Sequence, residues 1–395
     1  MEILYISTCC SNKLRKYIWD TSTIKPVQSG QKFHGLLIAG LAKYSNKLHA
    51  ITSVPVIVSS HKRRWWNLPL EHNNGINYIY LPFINLPIIK NVMIFIMSLF
   101  HTIRWILKHK KQQRFVICDP LNLSLTVGAL MACKLMREKV AVIVTDLPNL
   151  MINQKKLSIK GWLYRKLVTS ILFKFDKYIL LTAQMNKVVN PNNNPSIVME
   201  GIVDLNMQTS TNLISNKAAE KILIYAGGIY EMYGIKNLIL AFLKLTDINL
   251  RLHIYGAGEM EEDMPEFIKL DSRIKYLGSV ENEKVVANLS KATLLINPRP
   301  TTEIFTQFSF PSKNMEYMVS GTPLVTTKLP GMPLEYNQFV YLFDDESETG
   351  IFNTLRFLLN KPELELHNFG LTAKEFVLNN KSNFIQAGKI IDFLN

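Results

Sequence analysis

The stretch "FSFPSKNMEYMVSGTP", Phe308 to Pro323, concentrates residue types that can do chemistry. Pro311 suits the first turn of a helix, where its missing N–H was an orphan donor anyway. Gly321 suits the cap beyond the end, and Pro323 stops the helix. At 3.6 residues per turn, Met315, Met318 and Val319 share a core-facing side. Ser312, Lys313 and Glu316 lie on another arc. Free N–H groups, the helix dipole and the Lys313 charge together make an anion site at this N-terminus. Glu316, one turn further in, can accept hydrogen bonds from two neighbouring hydroxyls. A diphosphate joined to a ribose presents those two features about one helical turn apart. The stretch is therefore expected to hold a nucleoside diphosphate. The same spacing also suits a plain i,i+3 ion pair on a solvated face, worth a few tenths of a kcal/mol.

Such a helix needs strands to position it, and the second half of the chain supplies them clearly. "KILIYAGG" reads as a strand ending in Gly227 and Gly228, and "IKNLILAFLKL" has helical spacing. "LRLHIYGAGE", "RIKYLGSV", "TLLINP", "PLVTT" and "FVYLF" follow as strands, with "NEKVVANLSKA" a helix. Short apolar strands alternating with helices imply parallel strands in a doubly wound α/β sheet. The first half repeats the theme at "EILYIS", "LHAITSV", "NYIYLP", "RFVICD", "VAVIVTD", "KYILLT" and "SIVMEGI". Helices are expected at "FHGLLIAGLAKY", "LSLTVGALMACKLM" and "KGWLYRKLVTSILFKF". Two Rossmann-like domains are therefore predicted, 1–204 and 220–378, joined by a polar linker at 205–219. One amphipathic helix over 379–395 is expected to pack back on the first domain. Open α/β sheets bind ligands at the carboxyl ends of their strands, so a cleft between the two domains is the expected site. "GAG" at Gly256–Gly258 lacks the rest of a dinucleotide fingerprint and reads as a tight turn.

A length of 395 residues also favours two domains, and 48% hydrophobic with 19% charged residues is globular composition. The net charge of +14 is unevenly spread. Residues 1–200 hold 27 Lys+Arg against 8 Asp+Glu, whereas the remainder holds 18 against 23. A polyanion or an anionic membrane surface is the partner such asymmetry implies. No zinc-ligand spacing, aromatic RNA-binding strand or basic-leucine pattern is present, so nucleic acid is not expected. Cys9, Cys10, Cys118 and Cys133 lack metal-site spacing and read as free thiols in a reducing cytosol. "MEILYIS" is an apolar strand start without the features of a signal peptide. In "LPFINLPIIKNVMIFIMSLFHTIRWIL", Pro82, Pro87, Lys90, His101 and Arg104 interrupt the apolar run. A helix lying on a membrane or buried in a core fits it better than a span.

The sequence resembles the retaining GT-B glycosyltransferases of the family-four type, and most of all the bacterial members that build capsule or O-antigen polysaccharide. The resemblance runs over nearly the whole chain and rests on "YAGGIYEMYGIKNLILAF", "RIKYLGSVENEKVVANLSKATLLINPRP" and "FSFPSKNMEYMVSGTPLVTTKLPGMPLEY". It implies that Glu316 is the second acid of a paired-glutamate motif and holds the donor's ribose. Phe308 stands where the first acid belongs, and Gly228 and Tyr233 stand where the family's phosphate-binding Arg and Lys belong. Arg299, in "NPRP", and Lys313 are the cations able to replace them. Glu303, in the same loop as Arg299, is placed to take over the sugar hydroxyls that Phe308 cannot bind. The resemblance further implies that Gly30, directly before a helix, lets the Ser29–Gln31 backbone approach the donor phosphates and acceptor. His34 and Lys32 either contribute there or sit on the helix surface. Asp146 ends a strand where many relatives place a histidine beside the reacting carbon; it contacts an acceptor hydroxyl or caps the turn "DLPN". Asp119 in "ICDPLN" poses the same choice. Base recognition is expected from backbone around Tyr276, Leu277 and Gly278.

The resemblance implies a retaining glycosyltransferase, and with the basic first half the expected activity is transfer of a sugar from a UDP-, GDP- or dTDP-sugar donor to a lipid-linked saccharide acceptor, on the cytoplasmic face of the cell membrane. The resemblance implies that no metal or other cofactor is needed, because side chains and the helix terminus neutralise the leaving diphosphate; no DxD motif is present, and "FDDE" near Asp344 lies in a late loop. Three basic aromatic stretches, "HKRRWWNLP", "RWILKHKKQQR" and "KKLSIKGWLYRKLVTSILFKF", suit an anionic membrane carrying a polyprenyl diphosphate acceptor. Two rival readings stand beside this one: a non-catalytic relative that docks membrane and partner enzymes, and a GT-B sugar-nucleotide epimerase.

Overall fold

A computed structural model describes residues 1–26, 29–45, 47–147, 159–209 and 211–395. The chain divides into two units, Met1–Ile202 with Asn383–Asn395, and Val203–Ser382. In the first unit the strands are β1 (Glu2–Ser7), β2 (Lys47–Thr52), β3 (Trp65–Trp66), β4 (Glu71–Asn73), β5 (Ile76–Tyr80), β6 (Phe83–Ile84), β7 (Arg114–Cys118), β8 (Val140–Val144), β9 (Lys177–Leu180) and β10 (Ser196–Val198). Its helices are α1 (Asn12–Thr21), α2 (Ser29–Leu41), α3 (Ile89–Lys108), α4 (Leu123–Leu135), α5 (Ile159–Leu172) and α6 (Asn186–Val189). Eight strands form one sheet in the order β10-β9-β8-β7-β1-β2-β5-β4, so the strand order reverses between β1 and β7. Ile3 to Ile6 are fully buried, as expected of a central parallel strand covered on both faces.

The second unit holds β11 (Lys221–Ala226), β12 (Leu250–Tyr255), β13 (Ile274–Gly278), β14 (Leu294–Asn297), β15 (Leu324–Thr326) and β16 (Tyr341–Leu342). Its helices are α7 (Ile235–Leu243), α8 (Met264–Leu270), α9 (Asn282–Leu289), α10 (Ser312–Ser320), α11 (Glu348–Leu359) and α12 (Glu363–Lys381). The six strands are parallel in the order β13-β12-β11-β14-β15-β16, the doubly wound arrangement with its switch point between β11 and β14. Its core gathers Leu238, Ile239 and Phe242 of α7 against Leu252 and Ile254 of β12. Both units are thus Rossmann-like α/β domains, the predicted fold class.

Several local expectations need correction. The single helix expected over 379–395 is broken at Ser382, an extended residue that separates α12 from α13 (Asn383–Leu394). α12 belongs to the second unit and α13 to the first. α13 packs on α2, where Gly40 lets the Asn383 carbonyl approach so closely that a Cβ there would lie 2.1 Å from it. Residues 205–219, expected as a linker, are tied to the second unit: Asn212 Nδ2 donates to the Ser320 carbonyl at 2.8 Å, and Lys217 Nζ to the Ala292 carbonyl at 2.8 Å. The β4–β5 hairpin escaped the sequence reading, although its Asn74-Gly75 turn, with φ 50° and 79°, carries a strong hairpin signal. α3 is long and apolar enough to cross a membrane by length and composition. It buries Ile94, Ser98, Thr102, Trp105 and Ile106 in the first unit and leaves Val92, Ile96 and Phe100 exposed.

Candidate functional site

Three pieces of the second unit meet at its switch point: the loop after β11, the loop after β14, and α10. Hydrogen bonds fix them to one another. Tyr317 of α10, fully buried, accepts at its hydroxyl from Ala226 N at 2.7 Å, which ties the helix to the end of β11. Asn297 Nδ2 donates to Asn314 Oδ1 at 2.7 Å, which ties it to the end of β14. α10 begins after Pro311 with no side-chain cap and ends at Gly321, whose φ of 76° makes it the left-handed cap the sequence implied. Its N-terminal N–H groups therefore lack the capping side chain that usually satisfies them.

Lys313 and Glu316 form the i,i+3 ion pair that was one of the two readings of their spacing. Nζ and Oε2 are 3.0 Å apart. The pair is not on a fully solvated face, since the Glu316 side chain is only 16% exposed and that of Lys313 35%. Ser312 is exposed at the helix start.

Arg299 has a different environment. Its guanidinium lies over the Tyr233 ring, 4.4 Å from the centroid, and 5.4 Å from that of Phe305. Among the described residues no carboxylate pairs with it, and its Nε is buried with no hydrogen-bond partner. Burial pulls its pKa below the usual arginine value, and the neighbouring Tyr233 and Tyr225 hydroxyls oppose that shift. Arginine nonetheless stays charged in proteins, so this is a cation held against aromatic faces without an anion. By the resemblance, Tyr233 stands where a phosphate-binding lysine belongs. The Arg299 guanidinium thus rests on the side chain that occupies that position.

The glycines of the site serve close backbone packing. Gly227 N donates to the Tyr255 carbonyl at 3.0 Å, and Ile229 N to the Ala257 carbonyl at 3.1 Å, so the β11 and β12 loops lie backbone to backbone. Gly256, at φ 133°, makes this possible, because a Cβ there would stand 1.7 Å from the Gly227 carbonyl oxygen. The "GAG" turn is therefore a packing device for the loop after β11. Gly228 O accepts from Tyr225 OH at 2.6 Å, which fixes that peptide. Gly234, at φ 78°, admits the Pro298 carbonyl, 2.1 Å from where a Cβ would be, and so positions the Arg299 loop. Tyr276 donates to the Gly256 carbonyl at 2.9 Å, whereas Leu277 is 39% exposed. Glu303 opens a 3-10 turn, Ile304–Phe308, and its carboxylate makes no hydrogen bond or ion pair among the described residues. Phe308 closes that turn, half-buried.

In the first unit, Asp146 follows β8 and is exposed to solvent at a pocket of about 230 Å³ lined also by Pro120, Leu121, Leu147, Tyr164 and Val168. The apolar walls raise its carboxyl pKa, opposed by a hydrogen bond from the Leu147 N–H. The strand expected to include Asp146 stops at Val144, and the turn "DLPN" leaves the described residues after Leu147.

Gly30 lies inside the first turn of α2 rather than before it. Gln31 does not line open space: it is buried, donating to the Thr8 carbonyl at 2.7 Å and accepting from Cys10 N at 3.1 Å. His34 is not a surface residue either. It is buried with Nδ1 2.6 Å from Tyr5 OH and Nε2 3.3 Å from Asp119 Oδ2. No local sequence signal joins these three, which are brought together by β1, α2 and β7.

Residues 220–361, which contain every second-unit site residue named above, match the family model described as Glycosyl transferases group 1. No curated protein matches the chain. Among solved structures, sucrose-phosphate synthase from Thermosynechococcus elongatus is similar at 13% identity and TM-score 0.67, over 100% of this chain and 98% of that one. A glycosyltransferase from Rickettsia africae aligns at 14% identity and TM-score 0.63, over 99% and 97%. Anabaena HepE in complex with UDP aligns at 13% identity and TM-score 0.60, over 100% and 99%. At such identities the likeness is one of fold: this chain has the GT-B fold, two Rossmann-like domains in tandem.

Proposed function

We propose that the chain is a retaining glycosyltransferase that moves a sugar from a nucleotide donor to a lipid-linked saccharide, in the assembly of a bacterial surface polysaccharide. The observation that carries the reading is Arg299: a half-buried guanidinium whose Nε is buried without a hydrogen-bond partner and with which no carboxylate pairs among the described residues, at the carboxyl end of β14, beside the glycine loop of β11. A nucleoside diphosphate supplies the missing anion. Arg299, Lys313 and the uncapped start of α10 then neutralise charge as it develops on the leaving diphosphate. Glu316 takes the ribose hydroxyls, for which Lys313 must release its carboxylate and turn to phosphate. Glu303 meets the donor sugar, and Asp146 the acceptor hydroxyl. The departing phosphate oxygen accepts the acceptor's proton on the face where the new bond forms, which preserves the configuration at the anomeric carbon.

The family match and the UDP held by the HepE structure support a nucleotide-sugar donor. Attachment to the inner face of a membrane is proposed from the first unit. Trp162, Leu163 and Leu167 of α5 are about half exposed beside Lys166, which lies over the Trp162 ring at 5.2 Å. The "WW" pair contributes less than its composition implied, because Trp66 is fully buried and only Trp65 is exposed. The beginning of the third basic stretch, before Ile159, lies outside the described residues.

Thermal-shift screening against UDP, GDP, dTDP and CMP, followed by transfer of radiolabelled sugar to lipid extract, tests the whole reading. Stabilisation by one diphosphate and label in the lipid phase is the expected result. No shift with any nucleotide overturns it. A shift without transfer or hydrolysis favours a non-catalytic docking relative, and interconversion of free sugar nucleotides favours an epimerase. Flotation with anionic liposomes tests the membrane part separately.

A further inference from the structure

At the amino end of the first unit's sheet, away from Asp146 at the carboxyl end, three side chains from distant segments converge. Glu2 opens β1, His49 lies in β2, and His109 caps the C-terminus of α3. Glu2 is only 5% exposed, and its Oε2 stands 3.8 Å from His49 Nε2 and 3.9 Å from His109 Nε2. Those distances exceed a hydrogen bond. Both Glu2 Oε2 and His49 Nε2 are buried without a hydrogen-bond partner, a costly arrangement for a carboxylate and an imidazole.

His109 sharpens the problem. Its Nδ1 donates to the Trp105 carbonyl at 2.8 Å, which makes Nε2 the lone-pair nitrogen of the neutral ring. That lone pair faces a carboxylate oxygen. The three ligand atoms all lie within 4.8 Å of one another. Donors around a tetrahedral ion at 2.0–2.1 Å are spaced about 3.4 Å apart, so side-chain movements of roughly half an ångström close the set. A backbone carbonyl holding the remote nitrogen of a histidine is also the usual outer-shell support of a metal ligand.

We propose that Glu2, His49 and His109 bind a divalent first-row transition ion, zinc by its preference for two imidazoles and a carboxylate. Trp105 roofs the cluster, its ring 4.7 Å from that of His109 and 6.2 Å from that of His49. Its indole Nε1 is buried and unpartnered, a donor for a water in the fourth coordination position. The ion clips the end of α3 to β1 and β2. It is structural, at the opposite end of the sheet from the strand ends that hold the proposed acceptor site.

The test uses the full chain, stripped with EDTA and titrated with zinc sulfate by calorimetry, with metal content measured after gel filtration. One zinc per chain and a rise in Tm of about 5 °C at saturating metal are expected. His49→Gln and His109→Gln should each weaken binding at least ~100-fold, Trp105→Phe about tenfold, and the Cys9→Ser/Cys10→Ser double variant not at all. Glu2→Gln should abolish the zinc-dependent rise without lowering the Tm of the metal-free protein, which separates loss of a ligand from loss of fold. No binding at micromolar zinc overturns the assignment. So does zinc that persists in the histidine variants or disappears with the cysteines.

Discussion

Replacing Arg299 by glutamine removes a charge while keeping much of the side chain's length, and its two consequences run in different directions. The guanidinium is held by Tyr233 and Phe305 at 4.4 and 5.4 Å, contacts worth about 0.5–2 kcal/mol. Against that stand the desolvation of the cation and an Nε with no partner. The two nearly offset, so the nucleotide-free variant should unfold within about 3 °C of the parent. With a nucleoside diphosphate bound, the parent gains one or two charge-assisted hydrogen bonds, or about 2–4 kcal/mol, which glutamine cannot supply. The expected loss of affinity is roughly 30-fold to several hundredfold. Arg299→Lys should fall between, since it keeps the charge but not the planar fork. Calorimetric titration with UDP, or whichever nucleotide the screen selects, reads the affinity, and a thermal melt reads the stability. A variant that binds within threefold of the parent refutes the phosphate role. One that melts far below the parent shows that Arg299 is a structural arginine.

Lys313→Met should weaken both the nucleoside diphosphate and inorganic pyrophosphate about tenfold, whereas Glu316→Gln should weaken only the nucleoside form. If calorimetry finds neither affinity changed, the pair is merely the ion pair seen at 3.0 Å. Gly256→Ala should destabilise the chain by about 3 kcal/mol or more, because its Cβ meets a carbonyl oxygen 1.7 Å away. Gly278→Ala, at φ 67° with no atom within 4 Å, should cost only about 1–2 kcal/mol of backbone strain, and equal losses in denaturant titration would contradict the packing argument. Burial lowers the His34 pKa, with Asp119 opposing, so the unfolded chain binds more protons than the folded one just below pH ~6.5. Stability should therefore fall as pH drops through that value, and His34→Gln should flatten the slope in pH-dependent melts.

The sequence made the sheets legible because each parallel strand is a short apolar run covered on both faces. β7 and β14 coincide with the expected strands to within a residue at each end, whereas β8 stops two residues short of Asp146. α10 was equally readable, since Pro311 and Gly321 mark its ends chemically. Side chains whose meaning depends on partners far along the chain were not. Gln31 and His34 read as residues of a cleft or a helix surface, yet bonds to Thr8, Cys10 and Tyr5 draw them inward. Trp66 looked interfacial beside Arg63 and Arg64, but its pairing to β6 places it in the core. Arg299 was singled out by charge, whereas its aromatic seat needs the β11 and β14 loops side by side. Nothing local announces Glu2, His49 and His109, which are separated by 47 and 60 positions.

The order of synthesis gives the seam at Ser382 a cost. α13 contributes Ala387, Ile390 and Ile391 to the first unit's interior, but the ribosome reaches them only after all of Val203–Ser382. At typical elongation rates that delay is about 10–40 s, during which α13 cannot cover the face of α2 around Gly40. The domain begun first is completed last, and a fragment ending at Ile202 would remain in that unfinished state permanently.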